Sequence, residues 1–234
     1  MGNRAAVRHL VDLLMTVVLV LLMAYFLTDQ EIHEWLGAGM LVLFIAHHIL
    51  NRKWLKALNR GKYTPFRVLQ TALVLLVLLC MLGSMLSGIW MSRYVFDFLP
   101  TQGHMGLART AHLLCAYWGF LLLSAHLGLH RGIILGVVRK AAGNRKPSAL
   151  RTVVLRVLTC GISAYGVFAF IKHQIADYLF LQSHFVFFDY EQPPILYVLD
   201  LLAIMGLWIV LSYYLGKALQ KRAVQQAIQK EDHL

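Results

Sequence analysis

The stretch from Val68 to Trp90 reads VLQTALVLLVLLCMLGSMLSGIW and carries no charged side chain. A helix rises about 1.5 Å per residue, so a run of this length crosses the roughly 30 Å hydrocarbon core of a bilayer. These apolar runs are continuous rather than alternating, which favours helices over a membrane barrel. We therefore expect an all-α integral membrane protein with six transmembrane helices. The other five predicted spans are Leu10–Thr28, His33–Leu50, Gly106–Leu129, Thr152–Ile171 and Ile195–Gly216.

The composition of the chain excludes a soluble globular protein. Hydrophobic residues make up 59% of its 234 residues and charged residues 14%, against about 45–50% and about 25% in soluble domains. Mean hydropathy is +0.64. The three cysteines lie inside apolar runs without a CxxC motif, which argues against disulfide scaffolds, zinc sites and covalent haem attachment.

Basic residues are distributed very unevenly between the loops. Of the 22 Lys and Arg residues, 19 lie at the N-terminus, after span two, after span four and in the C-terminal tail. Because membrane proteins collect Lys and Arg on the cytoplasmic side, both termini are expected in the cytoplasm. The net charge of +11 is thus a topology signal, and we expect lipid but no nucleic acid as a partner.

We expect one membrane domain over residues 1–234. In it, residues 1–130 would form an antiparallel four-helix bundle, and residues 131–151 a basic cytoplasmic loop. Residues 152–234 would supply two further transmembrane helices and the tail.

Two histidine pairs have the same spacing on different spans. His33 and His47 are 14 residues apart on span two, and so are His112 and His126 on span four. Fourteen helical residues turn through about 1400°, roughly 40° short of four turns, and rise about 21 Å. Each pair therefore shares one helix face, with one histidine near each membrane surface.

The two spans run in the same direction, so the four histidines fall at two depths. We call His33 with His112 the first level, and His47 with His126 the second level. Imidazoles facing each other across a four-helix bundle can hold two b-type haems as axial ligands. One haem, another metal, or structural and proton-relay histidines remain open alternatives. Zinc or non-haem iron is less favoured, because we expect no Asp or Glu deep beside these histidines.

Neighbouring small and basic residues fit the haem interpretation. Gly119 lies midway between His112 and His126, and Gly37 shares the face of His33, so both leave room for a porphyrin edge. Arg109, one turn before His112, and Arg93 would pair with haem propionates, or else simply reach the interface.

Several polar residues leave open questions. His48 or His130 is an alternative ligand at the second level, and His130 is also a candidate for a quinone site. Asp200 in span six would serve a proton path or bind a neighbouring helix. Outside the spans, His173, His184 and the aromatic residues 185–190 would dock a protein partner, cap the first level, or pack within their loop.

Several motifs resemble one family of membrane cytochromes. His33-Glu34-Trp35-Leu36-Gly37, Ala46-His47-His48-Ile49-Leu50-Asn51 with Trp54, and His112 to His126-Leu127-Gly128-Leu129-His130 look like the bacterial flavinylation-associated cytochromes, domain-of-unknown-function family 4405. Phe187-Phe188-Asp189-Tyr190-Glu191 and Met205-Gly206 look like its C-terminal part. The resemblance covers nearly the whole chain, and its Asn51 pattern implies His47 rather than His48 as ligand.

This resemblance implies a di-haem cytochrome of the bacterial inner membrane. Such a protein would carry electrons from quinol or a cytosolic donor, entering at the second level, to an extracytosolic flavoprotein at the first. It would be an electron carrier or oxidoreductase subunit with no catalytic residue of its own. The alternatives are a transmembrane ferric or quinone reductase, and a non-haem proton or metal transporter that uses the membrane histidines.

Overall fold

The computed structural model describes residues 3–58, 60–61, 63–99, 103–130, 132, 148–189 and 191–232. The described residues are helical or irregular and include no strand. A short 3₁₀ turn, Tyr25–Leu27, follows the first helix. The α-helices in chain order are α1 (Asn3–Met23), α2 (Gln30–Leu50), α3 (Arg52–Ala57), α4 (Pro65–Met91), α5 (Met105–Leu129), α6 (Ala149–Lys172), α7 (Ile175–Leu179) and α8 (Pro194–Asp232).

Six of these helices are long and apolar enough to cross a membrane, which confirms the predicted fold class. They are α1, α2, α4, α5, α6 and α8, one for each predicted span. The second transmembrane helix, α2, begins earlier than expected. The Asp29 carboxylate caps its N-terminus by accepting a hydrogen bond from the Ile32 amide. His33 therefore lies inside the first turn of α2 rather than at its end.

The outer surface of the bundle is apolar in a way that suits lipid. On α6, Val153, Val157 and Phe168 are all more than half exposed. Similar large exposed side chains occur along α1, α2 and α4. Contiguous apolar surface of this extent is rare on soluble monomers and is compatible with contact to lipid chains.

The last helix occupies a more central position than the expected one beside a four-helix bundle. α8 packs along both α5 and α6, and Leu201 and Ile204 are among the most buried side chains. A Cβ at Gly128 of α5 would lie 2.3 Å from the Ile209 carbonyl oxygen, and one at Gly166 of α6 only 2.4 Å from that of Ala203. Small residues thus let three backbones approach closely, as at many membrane helix interfaces.

The predicted basic loop falls largely outside the described residues. Of positions 131–151, the structure describes Gly132 and residues 148–151, where Ser148 caps α6 by accepting from the Arg151 amide. The basic loop therefore stays a prediction.

We expect Gly166→Ala to loosen the packing of α6 against α8, since the added methyl would overlap backbone that cannot easily move. Overpacking of this kind destabilises by about 1–3 kcal/mol. Gly161→Ala, on the same helix but with nothing within 4 Å of its Cβ, should be neutral or slightly stabilising. Thermal unfolding in detergent measures both, and equal behaviour of the two variants would contradict the close approach.

Candidate functional site

A cavity of about 770 Å³ opens between α1, α2, α4 and α5. Its size lies within the roughly 300–1,000 Å³ typical of small-molecule and cofactor sites. All four helices of the predicted bundle contribute to its wall, together with the loop around residues 184–188. Six residues chosen from sequence for a cofactor site line it: His33, Gly37, Arg93, Arg109, His112 and Gly119.

The two first-level histidines face each other across this cavity. Their ring centroids are 6.2 Å apart, with the ring planes inclined by 72°. A metal–imidazole bond is about 2 Å long, so one metal between two imidazoles separates their centroids by about 6 Å. The observed separation fits such a pair.

The ring of His112 is fixed by hydrogen bonds to α4. Its Nδ1 lies 2.9 Å from the Ser84 carbonyl oxygen and 3.2 Å from Ser87 Oγ. Because a carbonyl only accepts, Nδ1 carries the hydrogen and donates, and Nε2 keeps a free lone pair. Metal-ligating histidines are commonly held in this way. Gly88 lies beside the same ring, and a Cβ there would be in ordinary van der Waals contact with His112 Cε1, at 3.4 Å.

His33 is held by packing rather than by hydrogen bonding. Its ring meets the Tyr25 ring edge-on, with centroids 4.9 Å apart. Its Nδ1 is buried without a hydrogen-bond partner, which is costly for a polar atom unless a ligand satisfies the ring. This orphaned nitrogen and the His112 geometry together fit the axial positions of a haem.

Glu34, beside His33, closes one end of the cavity. Its carboxylate accepts from Ser92 Oγ at 2.6 Å and from the backbone amides of Arg93, Tyr94 and Val95 at 2.9–3.2 Å. These bonds attach the start of α2 to the chain that leaves α4. Sequence reasoning missed this role, because backbone donors leave no side-chain pattern.

Cationic and aromatic groups form the rim of the same cavity. Arg93 and Arg109 both line it, and the Arg109 guanidinium lies 5.5 Å from the centroid of the Phe185 ring. His184 and Phe188 line it as well, and Phe188 packs on Phe26 with ring centroids 5.4 Å apart. The loop therefore contributes to the cavity wall, and the three roles considered for it stay predictions; Tyr190 lies outside the described residues.

At the second level, the structure overturns one expectation. Asp12 of α1 lies beside His47, with Oδ1 2.8 Å from Nδ1. The expectation that no acidic residue lies deep beside the histidines was wrong, because the packing of α1 on α2 brings a lone acid to them. A carboxylate accepts only, so His47 Nδ1 donates and Nε2 keeps its lone pair.

His126 completes a cluster with these two residues. It lies within electrostatic range of His47, His130 and Asp12, and its ring centroid is 4.6 Å from that of His130. Burial lowers the pKa of His130, which favours its neutral form. Arg8, one turn before Asp12, has a buried Nε without a hydrogen-bond partner.

His48 is turned back onto its own helix. Its Nδ1 donates to the Phe44 carbonyl oxygen at 2.9 Å, and its ring lies 4.2 Å from the Phe44 ring centroid. Asn51, at the C-terminal end of the same helix, donates to the His47 carbonyl oxygen at 2.9 Å. The second-level ligands thus remain a prediction, with His47 the histidine that Asp12 orients.

Asp200 does not line the cavity described above, and its contacts are hydrogen bonds to neighbouring segments of the chain. It is fully buried and accepts from Tyr165 Oη, Lys172 Nζ, His173 Nε2 and Gln192 Nε2. The network joins α6, α8 and the loop before α8. Of the two roles considered for Asp200, this geometry is that of interhelical hydrogen bonding.

Comparisons with protein-family models, with curated proteins and with solved structures found no match. Within the residues that the structure describes, no three His, Cys, Asp or Glu side chains are placed to hold a metal ion by themselves.

We expect Glu34→Ala to release the chain after α4, because four donors lose a charged acceptor. Hydrogen bonds to charged groups contribute about 1.5–3 kcal/mol each, and each 1.4 kcal/mol is a factor of ten. Amide hydrogen exchange over residues 93–95 should therefore accelerate by about tenfold or more. Glu31→Ala, three residues earlier on the exposed side, is the control, and equal protection in both variants would refute the role of Glu34.

Proposed function

We propose that this protein is a di-haem b-type cytochrome that carries electrons across a membrane. The observation that carries the proposal is the first level, where His33 and His112 face each other at 6.2 Å across a cavity of about 770 Å³. The Ser84 carbonyl holds the His112 ring so that its Nε2 lone pair is free for a metal. A haem bound there would supply one-electron chemistry, which none of the side chains can perform.

The remaining lining residues give this cavity the chemistry of a haem site. Gly37 has nothing within 4 Å of its Cβ position, and Gly88 and Gly119 expose backbone where side chains would otherwise project. Arg93 and Arg109 offer cations at the rim for propionates. Apolar side chains such as Met81 and Met85 form much of the remaining wall.

At the second level, His47 and His126 are the proposed axial pair. His47 is oriented by Asp12, and His126 belongs to the same cluster. The buried, unpartnered Arg8 Nε offers a cation for a propionate at this end. His130 is the alternative ligand on α5, and His48 the alternative on α2.

The two levels would divide one membrane crossing into shorter transfers, since they lie about 21 Å apart along the helices. With both termini in the cytoplasm of a bacterial inner membrane, quinol or a cytosolic donor would reduce the second level. An extracytosolic flavoprotein or another redox protein would accept electrons at the first, in keeping with the resemblance to flavinylation-associated cytochromes. A partner would meet the loop around Phe185.

One observation favours a rival function. A carboxylate paired with a histidine inside a membrane, as Asp12 is with His47, also occurs in proton relays. A transporter built on this pair would purify without a Soret band and would move protons or metal ions into liposomes. If the purified protein contains haem and loses it when a proposed ligand histidine is replaced, the transporter function is excluded.

The histidine variants test the proposed ligands one level at a time. His112→Ala should remove the first-level haem and keep the second, and His126→Ala should do the reverse, because each removes one of two axial bonds. Difference spectra and haem quantitation on the purified variants measure the loss.

His48→Ala is the matched control for His47→Ala, since the two residues are adjacent and His48 is bonded to its own helix. It should retain both haems. Loss of the second-level haem in His48→Ala but not in His47→Ala would show that the ligand is His48 rather than His47. Full haem retention in His47→Ala, His112→Ala and His126→Ala would contradict the proposal.

Sidedness follows from the distribution of basic residues. In right-side-out vesicles, a membrane-impermeant oxidant should oxidise the first-level haem before the second, and His112→Ala should block that reaction. Inverted vesicles should show the opposite order. Equal access from both sides, or first access from the cytoplasmic side, would contradict the proposed topology.

A further inference from the structure

We propose that a small cavity between α3 and α4 binds the headgroup of one anionic phospholipid, whose acyl chains lie along α4. The cavity measures about 280 Å³, just below the roughly 300 Å³ at which sites for whole small molecules begin. This size suits a phosphate headgroup rather than a complete ligand. Its wall includes Trp54, Arg60, Arg67, Gln70 and Thr71, which we call the α3–α4 corner. The proposal does not rest on the proposed function.

The charge around this cavity is of one sign. Residues 51–71 include six Lys or Arg residues and no Asp or Glu. Two of the six, Arg60 and Arg67, line the cavity itself. The planar donors of a guanidinium match the oxygens of a phosphate. The α3–α4 corner therefore favours an anionic occupant that carries phosphate.

Arg67 is fixed in the corner by its neighbours. Its guanidinium donates to the Ala57 and Leu58 carbonyl oxygens, at 2.6 and 3.3 Å, and lies 4.4 Å from the centroid of the Tyr63 ring. The Tyr63 hydroxyl donates to the same Leu58 oxygen at 2.6 Å. These contacts hold a positive charge at the cavity wall before any ligand arrives, and such preorganisation reduces the entropy lost on binding.

The other polar groups of the corner complement this fixed cation. The Arg60 side chain is exposed and can adjust to a ligand, while Gln70 and Thr71 are half-buried on the first two turns of α4. Their amide and hydroxyl groups donate hydrogen bonds without adding negative charge. Trp54 supplies an aromatic ring of the kind that collects at headgroup level. A phosphate thus finds one fixed cation, one exposed cation and two neutral donors.

Beyond the cavity, α4 presents an exposed apolar stripe. Leu75, Leu79, Leu82 and Leu86 follow Thr71 at intervals of three or four residues, so they share one helix face, and all four are exposed. Leu82 lies 11 residues after Thr71, or about 16 Å along the helix, which is about half of the roughly 30 Å hydrocarbon core. The stripe is therefore long enough for the acyl chains of one leaflet. A soluble anion would leave it unused, so the stripe favours a phospholipid as the source of the phosphate.

Arg60→Gln tests the proposal, because it removes an exposed cation from the cavity wall and leaves the contacts of Arg67 in place. Native mass spectrometry of the purified full-length protein, titrated with phosphatidylglycerol, measures the affinity for the first bound lipid. We expect Arg60→Gln to weaken that affinity about fivefold, the contribution of one basic residue near a membrane surface. Lys53→Gln is the matched control. It removes the same charge from the same basic segment but does not line the cavity, so it should bind like the wild type.

Two further probes on the wild-type protein distinguish the sources of the phosphate and do not depend on how any variant folds. Phosphatidylcholine, whose headgroup is zwitterionic, should bind more weakly than phosphatidylglycerol with the same acyl chains. Glycerol 3-phosphate, which lacks acyl chains, should fail to displace the lipid at equal concentration. Raising the salt from 0.1 to 1 M shortens the Debye length from about 10 to about 3 Å, so it should weaken the binding of phosphatidylglycerol.

Each contrary outcome overturns a defined part of the proposal. Unchanged affinity in Arg60→Gln would exclude the cavity, and equal weakening in Arg60→Gln and Lys53→Gln would show diffuse attraction to the basic segment instead. Equal affinity for phosphatidylcholine would refute selection of an anionic headgroup. Displacement by glycerol 3-phosphate at equal concentration would assign the cavity to a soluble phosphate. The cytochrome proposal is untouched by all of these results, since no haem ligand takes part in the test.

Discussion

The hydrogen bond from His112 Nδ1 to the Ser84 carbonyl is the interaction on which the site depends. The Ser84 carbonyl belongs to the backbone of α4, and His112 belongs to α5. The hydrogen bond between them therefore fixes the His112 ring at a defined height along α4. It also assigns the hydrogen to Nδ1 and leaves Nε2 as the free nitrogen.

The rest of the bundle holds this arrangement in place from both sides. Gly128 brings α8 against α5, the helix that bears His112, and Gly166 brings α6 against the same α8. On the opposite side, Glu34 attaches the start of α2 to the chain after α4 and thereby places His33 across the cavity. An interhelical distance suited to one metal between two imidazoles follows from these attachments.

Much of this organisation is accessible from sequence, because it depends on periodicity within single helices. Span lengths and the 14-residue spacing of His33 to His47 and of His112 to His126 are local properties of a helix. The pairing of Asp12 with His47 is not local, since a lone acid in an apolar run carries no sign of which helix it will meet. The role of Glu34 could not be predicted from sequence for a related reason, because most of its hydrogen-bond partners are backbone amides. The central position of α8 likewise depends on the close approach of helix backbones at glycines, which the hydrophobic pattern of a single helix does not predict.

Haem stoichiometry in the purified wild-type protein tests the central claim most directly. Pyridine haemochrome quantitation against protein concentration, with electron paramagnetic resonance of the oxidised sample, measures both number and ligation. Two histidine levels predict close to two b-type haems per chain, both low-spin with two nitrogen axial ligands. A clean, folded preparation without haem would contradict the account, and a single haem would remove one of its two levels.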